Sequence, residues 1–121
     1  TTRVLTLQEA FDNAWNGIHS QGCYSAIQRA DGGVSCKYRG PDNTRCAIGW
    51  SITDEEYKEW IESGTAASAL PRIKIQIDLD RANALQMIHD QSAIDNLPLS
   101  TWADKMKRFA LTHGLTVPAT P

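Results

Sequence analysis

The side chains best suited to chemistry are concentrated in one segment of the chain, residues 36–49. It holds two of the three cysteines, one tyrosine, one lysine and two arginines, arranged around the turn-forming residues 40–44. Cys36 and Cys46 flank that turn, so they could face each other across a hairpin, within reach of each other or of a common ligand. We therefore look first in this segment for a site.

Tyr38, Arg39 and Arg45 make the segment suited to binding an anion. Guanidinium groups grip carboxylates and phosphates through paired hydrogen bonds, and an aromatic ring beside them can stack on a base. Residues 28–50 carry four basic and two acidic side chains, a local charge of +2 in a chain whose net charge is −2. The pattern is suited to a nucleotide, to single-stranded nucleic acid or to an acidic protein surface, and the interpretation we prefer is a non-enzymatic protein that binds a protein or a small anionic ligand.

His89 and Asp90 complete this predicted binding site from a helix later in the chain. His89 projects from an apolar stripe, which favours a partly buried imidazole anchored by one hydrogen bond. Neighbouring helical residues point about 100° apart, so the imidazole is not expected to pair with Asp90. Asp90 is instead expected to face solvent or a basic partner, and a salt link with Arg39 or Arg45 is the attractive form of the second alternative. In this interpretation His89 and Asp90 orient the contact residues.

Two alternatives use the cysteines. An enzyme would take Cys36 or Cys46 as nucleophile and His89 as general base, which requires a thiol of lowered pKa and partial exposure. A zinc-stabilised module would instead use one imidazole and three thiolates, although the nine residues between Cys36 and Cys46 do not match the close ligand pairs of structural zinc sites. The preferred interpretation has no catalytic residue, no metal and no cofactor. The four candidate zinc ligands are His19, Cys23, Cys36 and Cys46.

Composition limits the classes of protein that the chain can belong to. Its 121 residues predict a single globular domain over residues 1–115 and a flexible tail over residues 116–121. With 12 basic and 14 acidic residues it lacks the basic excess of a general nucleic-acid-binding protein. No apolar run approaches the roughly 18–20 residues that span a bilayer, and residues 1–9 lack the apolar core of a secretory signal. An odd number of cysteines fits thiols in a reducing cytoplasm.

The hydrophobic pattern predicts an α+β fold, mainly α, with about four helices and a small β-hairpin at about residues 34–50. Thr6 and Glu9 form a capping box before helix one, and Gly22 ends that helix. A second capping box at Thr53 predicts helix two over residues 54–63. Alternating isoleucines at residues 73–77 predict a strand or an extended lead-in.

The remaining two helices follow from their capping residues. Asp80 is expected to cap helix three, which ends near Asn96, and Ser100 opens helix four, which Gly114 closes. Residues 105–108 form a second basic run, which on an amphipathic helix usually marks a solvated face.

A longer pattern surrounds the central segment and covers most of the chain from Gln21 to Leu115. Its specific part is two cysteines around a Tyr-Arg and Pro-Asp turn, a combination that is improbable by chance. The pattern comprises Gln21-Gly22 with Ser25, Cys36-x-Tyr38-Arg39-x-Pro41-Asp42, Cys46-Ala47-Ile48-Gly49, Ile52-x-Asp54, Tyr57, Glu62, Leu85-Gln86, His89-Asp90, Trp102 and His113-Gly114-Leu115.

This pattern resembles a family of small proteins encoded by bacteriophages and prophages, most of which have no assigned function. Asn43 stands where the family often has glycine, and Trp50 and Ser51 stand where smaller or aliphatic residues are expected. The resemblance implies a phage accessory protein in the host cytoplasm that acts by binding a host component. It implies no reaction, because family membership does not establish function.

Overall fold

Helix α1 (Leu7–Gln21) begins and ends where its sequence predicts, in a computed structural model that describes residues 2–120. The Thr6 hydroxyl accepts a hydrogen bond from the backbone N–H of Glu9 over 3.0 Å, and the Glu9 carboxylate accepts one from the N–H of Thr6 over 2.9 Å. This capping box satisfies two N–H groups that no helical carbonyl could reach. Gly22 adopts a φ of 79° and ends the helix.

The predicted fold class, α+β and mainly α with four helices and a small antiparallel sheet, is confirmed. Thr1 of the predicted domain and Pro121 of the predicted tail lie outside the described residues. Apart from α1, the helices and strands are β1 (Arg3–Val4), β2 (Ala26–Gln28), β3 (Val34–Cys36), α2 (Ala66–Arg72), β4 (Ile75–Gln76), α3 (Leu79–Ile94) and α4 (Leu99–His113).

The hairpin lies earlier in the chain than residues 34–50. Strands β2 and β3 pair antiparallel, with Ala26 opposite Cys36. The expected second strand is wrong: the chain forms 3-10 helices at Pro41–Asn43 and Ile48–Ser51 instead. Here the N–H groups of Arg45 and Ile48 donate to side-chain amide oxygens of distant glutamines rather than to a strand.

Asn43 adopts the left-handed backbone that its position requires. Its φ is 60°, and that of the preceding Asp42 is 56°. Asparagine tolerates this region far better than most residues, so the backbone here needs no glycine. The two residues lie together in the left-handed region within the 3-10 segment Pro41–Asn43.

Helix two at residues 54–63 is also a wrong prediction. The capping box forms, since the N–H of Thr53 donates to Glu56 over 3.0 Å and the N–H of Glu56 donates to the Thr53 hydroxyl over 3.3 Å. It closes only one turn, and a 3-10 helix follows at Glu59–Ser63. The second α-helix, α2, comes after this segment and includes Pro71 in its last turn.

The last two helices start slightly before the predicted residues. Asp78, not Asp80, caps α3 through its side chain. Helix α4 starts at Leu99 and ends at His113, followed by Gly114 as its C-cap with a φ of 68°. Of the alternating isoleucines only Ile75 lies in a strand, β4, which pairs in parallel with β1.

One cluster of buried side chains joins all four helices. Phe11 and Trp15 of α1 stack on Phe109 and Trp102 of α4, with ring centroids 6.4 and 6.0 Å apart. Within residues 2–120, no helix is long and apolar enough to cross a bilayer. The predicted tail has no helix or strand over residues 116–120.

Candidate functional site

Arg39 and Arg45 converge on one carboxylate, that of Asp54. Arg39 Nη1 lies 2.7 Å and Arg45 Nη2 lies 3.5 Å from the same oxygen, Asp54 Oδ1. The Asp54 side chain is 82% exposed, whereas those of the arginines are 23% and 28% exposed. Two partly buried cations thus share one exposed anion.

Each guanidinium of this pair lies over an aromatic ring. Arg39 lies 4.8 Å from the centroid of Tyr57, and Arg45 lies 5.1 Å from that of Trp50. Such cation–π contacts hold the planar groups in place and partly desolvate them, which strengthens their attraction for an anion. We refer to Arg39, Arg45, Asp54, Tyr57 and Trp50 as the arginine pair site.

Arg39 is also part of the scaffold. Its Nη2 donates to the carbonyl of Ile52 over 3.1 Å, and its backbone N–H donates to Glu62 Oε2 over 3.1 Å. Arg45 makes fewer contacts through its side chain: within residues 2–120, Asp54 is its one side-chain hydrogen-bond partner, at the limit of hydrogen-bond distance. Of the two arginines, Arg45 is therefore the more available to a ligand.

Glu62 fixes the backbone from which Arg39 projects. Its carboxylate accepts hydrogen bonds from the N–H of Tyr38 over 2.8 Å, from the N–H of Arg39, and from the Tyr57 hydroxyl over 2.7 Å. Burial, and then this bond to Glu62, raise the pKa of Tyr57 to about 12, so its hydroxyl stays a donor. The Glu62 carboxylate therefore fixes the positions of both the Arg39 backbone and the Tyr57 ring that lies against the Arg39 guanidinium.

Tyr38 is mainly a core residue. Its side chain is buried, its hydroxyl donates to the carbonyl of Gly64 over 3.4 Å, and burial raises its pKa well above the ordinary value. It also lines a recess of about 300 Å³ together with Cys36 and Asp90. A partner could reach it through that recess.

His89 and Asp90 form a pair, contrary to the prediction from helical geometry. His89 is fully buried, and its Nδ1 lies 2.9 Å from Asp90 Oδ1. The N–H of Ser25 donates to the other ring nitrogen, Nε2, over 3.1 Å. Since Nε2 must then carry the lone pair, Nδ1 carries the proton and donates it to Asp90. The prediction failed because both side chains can bend toward each other from adjacent positions.

The predicted salt link between Asp90 and an arginine does not form. Asp90 Oδ1 accepts hydrogen bonds from His89 and from Gln86 Nε2, the latter over 3.0 Å. Gln86 in turn accepts from the N–H of Ile48 over 2.9 Å. Both arginines use Asp54 instead, because it lies on a nearby turn. The hairpin and α3 do meet, since the Cys36 thiol lies 3.8 Å from the carbonyl oxygen of Asp90.

The environment of the cysteines does not favour a nucleophile. Burial and the carboxylate of Asp90 raise the pKa of Cys36 to about 12, so this thiol stays protonated at neutral pH. Cys46 is fully buried, and burial raises its pKa further. His89 offers no free base, because one ring nitrogen accepts from Ser25 and the other carries a proton.

The four predicted zinc ligands do not come together. His19 Nδ1 contacts the carbonyl oxygen of Trp15, Cys23 is exposed, and Cys46 is in the core. A different set, Cys36, His89 and Asp90, places its ligand atoms within 4.8 Å of one another. The hydrogen bond from Ser25 argues against metal there, since a metal on Nδ1 would force a proton onto Nε2, facing another donor.

The structure brings together two of the five predicted site residues, Arg39 and Arg45. His89 and Asp90 lie in a separate hydrogen-bond network, and Tyr38 packs between the two groups. Their roles in binding stay predictions. Sequence reasoning missed Asp54 as a site residue, because in the Thr53 capping box it looked like an acid placed for a helix dipole. The sequence signal that could have identified Asp54 is a short acidic residue next to turn-forming residues, a few positions after two arginines.

Comparison of the chain with protein-family models, with curated proteins and with solved structures finds no match.

Proposed function

We propose that this protein is a non-enzymatic binding protein that holds an anionic group of its partner between Arg39 and Arg45. The observation that carries the proposal is the position of the exposed Asp54 carboxylate between the two guanidinium groups. An internal carboxylate there marks a place where a carboxylate or phosphate from outside fits equally well, because arginine's planar fork matches both.

The exchange of Asp54 for an external anion costs little. An ion pair with an exposed member contributes only about 0–1 kcal/mol, because water screens it and holding the side chains costs entropy. The guanidinium groups are already held by the rings of Tyr57 and Trp50, and that of Arg39 also by the carbonyl of Ile52, so less ordering is needed when a ligand binds. The site is thus preorganised and only loosely occupied.

The family resemblance supplies the biological part of the proposal. A phage accessory protein in the host cytoplasm would use this surface against a host protein, or against an anionic small ligand such as a nucleotide. These two sources share the same chemistry at the arginines. The test below separates them with one carboxylate probe and one phosphate probe.

The test uses inorganic pyrophosphate and a tetraglutamate peptide as probes, with binding followed by the NMR signals of the arginine side chains. We expect at least one probe to shift the Arg45 Nε–H signal. Arg45→Gln should weaken that binding about fivefold, and Asp54→Asn, which removes the internal competitor, should strengthen it about threefold.

Arg29→Gln is the matched control. Arg29 is 52% exposed and pairs with Asp31 over 3.2 Å on the hairpin turn, so it is an arginine of similar type outside the site. Its loss should leave probe binding unchanged. Equal effects of Arg29→Gln and Arg45→Gln, or weaker binding by Asp54→Asn, would contradict the proposal.

A further inference from the structure

Helices α3 and α4 leave an open groove between them. Its walls are two stripes with the same helical spacing: Ala84, Met87, Ile88 and Gln91 on α3, and Lys105, Arg108, Phe109 and Thr112 on α4, with His113 at one end. Each stripe spans i, i+3, i+4 and i+7, so the groove is about 10 Å, or two helical turns, long. Its volume is about 510 Å³.

The floor of the groove is apolar and partly exposed. Met87 is 51% exposed, whereas Phe109, at 7%, forms the base between the helices. Large apolar side chains that face a concave surface are typical of places where a partner binds. The groove is the right shape for one more helix, since packed helices lie about 8–10 Å apart and fill the gap between two neighbours.

The rim of the groove is positive. Lys105 and Arg108 stand on its α4 side, and its lining residues include no carboxylate. Neither cation takes part in an ion pair within residues 2–120. A second copy of this chain is a poor match, because its own groove would bring like charges together.

We infer that this groove binds an acidic amphipathic helix of a protein partner. The partner's apolar residues at i, i+3 or i+4, and i+7 would cover Met87, Ile88 and Phe109, and its acidic residues would face Lys105 and Arg108. The basic run on α4 is then a recognition element rather than only a solvated face. The groove shares no residue with the arginine pair site, so the two proposals succeed or fail separately.

The two methionines of the chain make the test direct. Met87 lines the groove, whereas Met106 is fully buried and serves as an internal control. The probe is a designed helical peptide of about 15 residues, the length at which an isolated helix starts to be stable, with a leucine stripe flanked by glutamates. We expect it to shift the ¹³C-methyl NMR signal of Met87 and to leave that of Met106 in place.

Charge reversal tests the rim. Lys105→Glu with Arg108→Glu should weaken binding of the acidic peptide about tenfold and create binding of the same peptide with lysines in place of glutamates. Lys58→Glu with Lys74→Glu is the control: it changes the net charge equally at exposed positions outside the groove, and it should have little effect.

Three results would overturn the inference. Equal affinity for the acidic and basic peptides would mean that the groove does not recognise charge. An unchanged Met87 signal would mean that the peptide does not occupy the groove. Binding of sodium dodecanoate without binding of the acidic peptide would assign the groove to an anionic amphiphile instead of a helix.

Discussion

The backbone N–H of Ser25 donates a hydrogen bond to Nε2 of the buried His89 over 3.1 Å. This contact joins the start of the hairpin to α3 and fixes the tautomer of the imidazole. The proton on Nδ1 then points to Asp90, which Gln86 also contacts. His89 therefore acts as a structural link between two elements, and neither of its nitrogens is free for proton transfer or for a metal.

Replacing His89 by alanine should destabilise the protein by about 3 kcal/mol. The change leaves a cavity and leaves the buried Ser25 N–H without its acceptor, and it removes one of the two donors to the half-buried Asp90 carboxylate. Urea unfolding measures the loss of free energy. His113→Ala, at a partly exposed histidine on α4, is the matched control and should cost less than about 1 kcal/mol. Similar losses for the two variants would mean that the Ser25 contact contributes little.

Alkylation should distinguish the three cysteines at neutral pH. Cys23 is exposed, whereas Cys36 is half-buried with its pKa raised to about 12 and Cys46 is fully buried. Because the thiolate is the reactive form, iodoacetamide should add one group to the folded chain quickly, at Cys23, and Cys23→Ser should remove this fast reaction. Mass spectrometry of the products measures both. Labelling of Cys36 faster than that of the amino acid cysteine in solution would indicate that Cys36 is an activated nucleophile.

The sequence predicted those parts of the fold that local signals determine. The ends of α1 follow from Thr6, Glu9 and Gly22, and all of these contacts lie within a few residues of one another. The second hairpin strand was wrong because the N–H of Arg45 finds its acceptor on Gln21, 24 residues away. No local pattern reveals such a partner.

In the candidate site, too, local signals identify some residues whereas distant contacts determine how they are arranged. Arg39 and Arg45 could be selected by residue type and charge, but their shared partner depends on a turn that replaces the expected helix two. That helix does not form because Tyr57 and Glu62, which it would have contained, contact the backbone and side chain of Arg39 instead. Tertiary contacts here override a correct local capping signal.

Acid should remove the contribution of the pair between Glu56 and Arg3. Both carboxylate oxygens of Glu56 accept from Arg3, over 2.7 and 2.9 Å, and these hydrogen bonds lower the pKa of Glu56 below its ordinary value. The folded state thus holds the proton less tightly than the unfolded state, so the stabilisation is present above about pH 5 and is lost as the pH falls below about 4.

The free energy of unfolding in urea is measured at about pH 6, where the ion pair should be intact, and at about pH 3, where its contribution should be lost. Wild-type protein should lose about 1 kcal/mol more than Glu56→Gln between the two. Glu55→Gln removes an exposed carboxylate that forms no ion pair within residues 2–120, and it should behave as wild type. An equal acid response of all three proteins would show that Arg3 does not contribute through Glu56.

Gly17 and Trp50 should be strongly coupled, because the indole ring occupies the space that a side chain on Gly17 would need. A Cβ atom built at Gly17 overlaps the ring of Trp50. The unexpectedly large residue at position 50 thus fits only because α1 has a glycine opposite it, and the ring placed there supports Arg45 at 5.1 Å. Gly17→Ala should therefore cost about 2 kcal/mol through overpacking, although alanine favours helices.

A double-mutant cycle tests whether the effect of Gly17→Ala on stability changes sign when Trp50 is removed. In a Trp50→Ala background the clash is absent, so Gly17→Ala should instead stabilise the protein by up to about 1 kcal/mol from helix propensity. Urea unfolding of the four proteins measures the coupling, and the anion-probe affinity of Gly17→Ala shows whether the displaced indole disturbs Arg45. If Gly17→Ala has the same effect in both backgrounds, the two residues do not contact each other as described, and Trp50 supports the arginine pair site without help from α1.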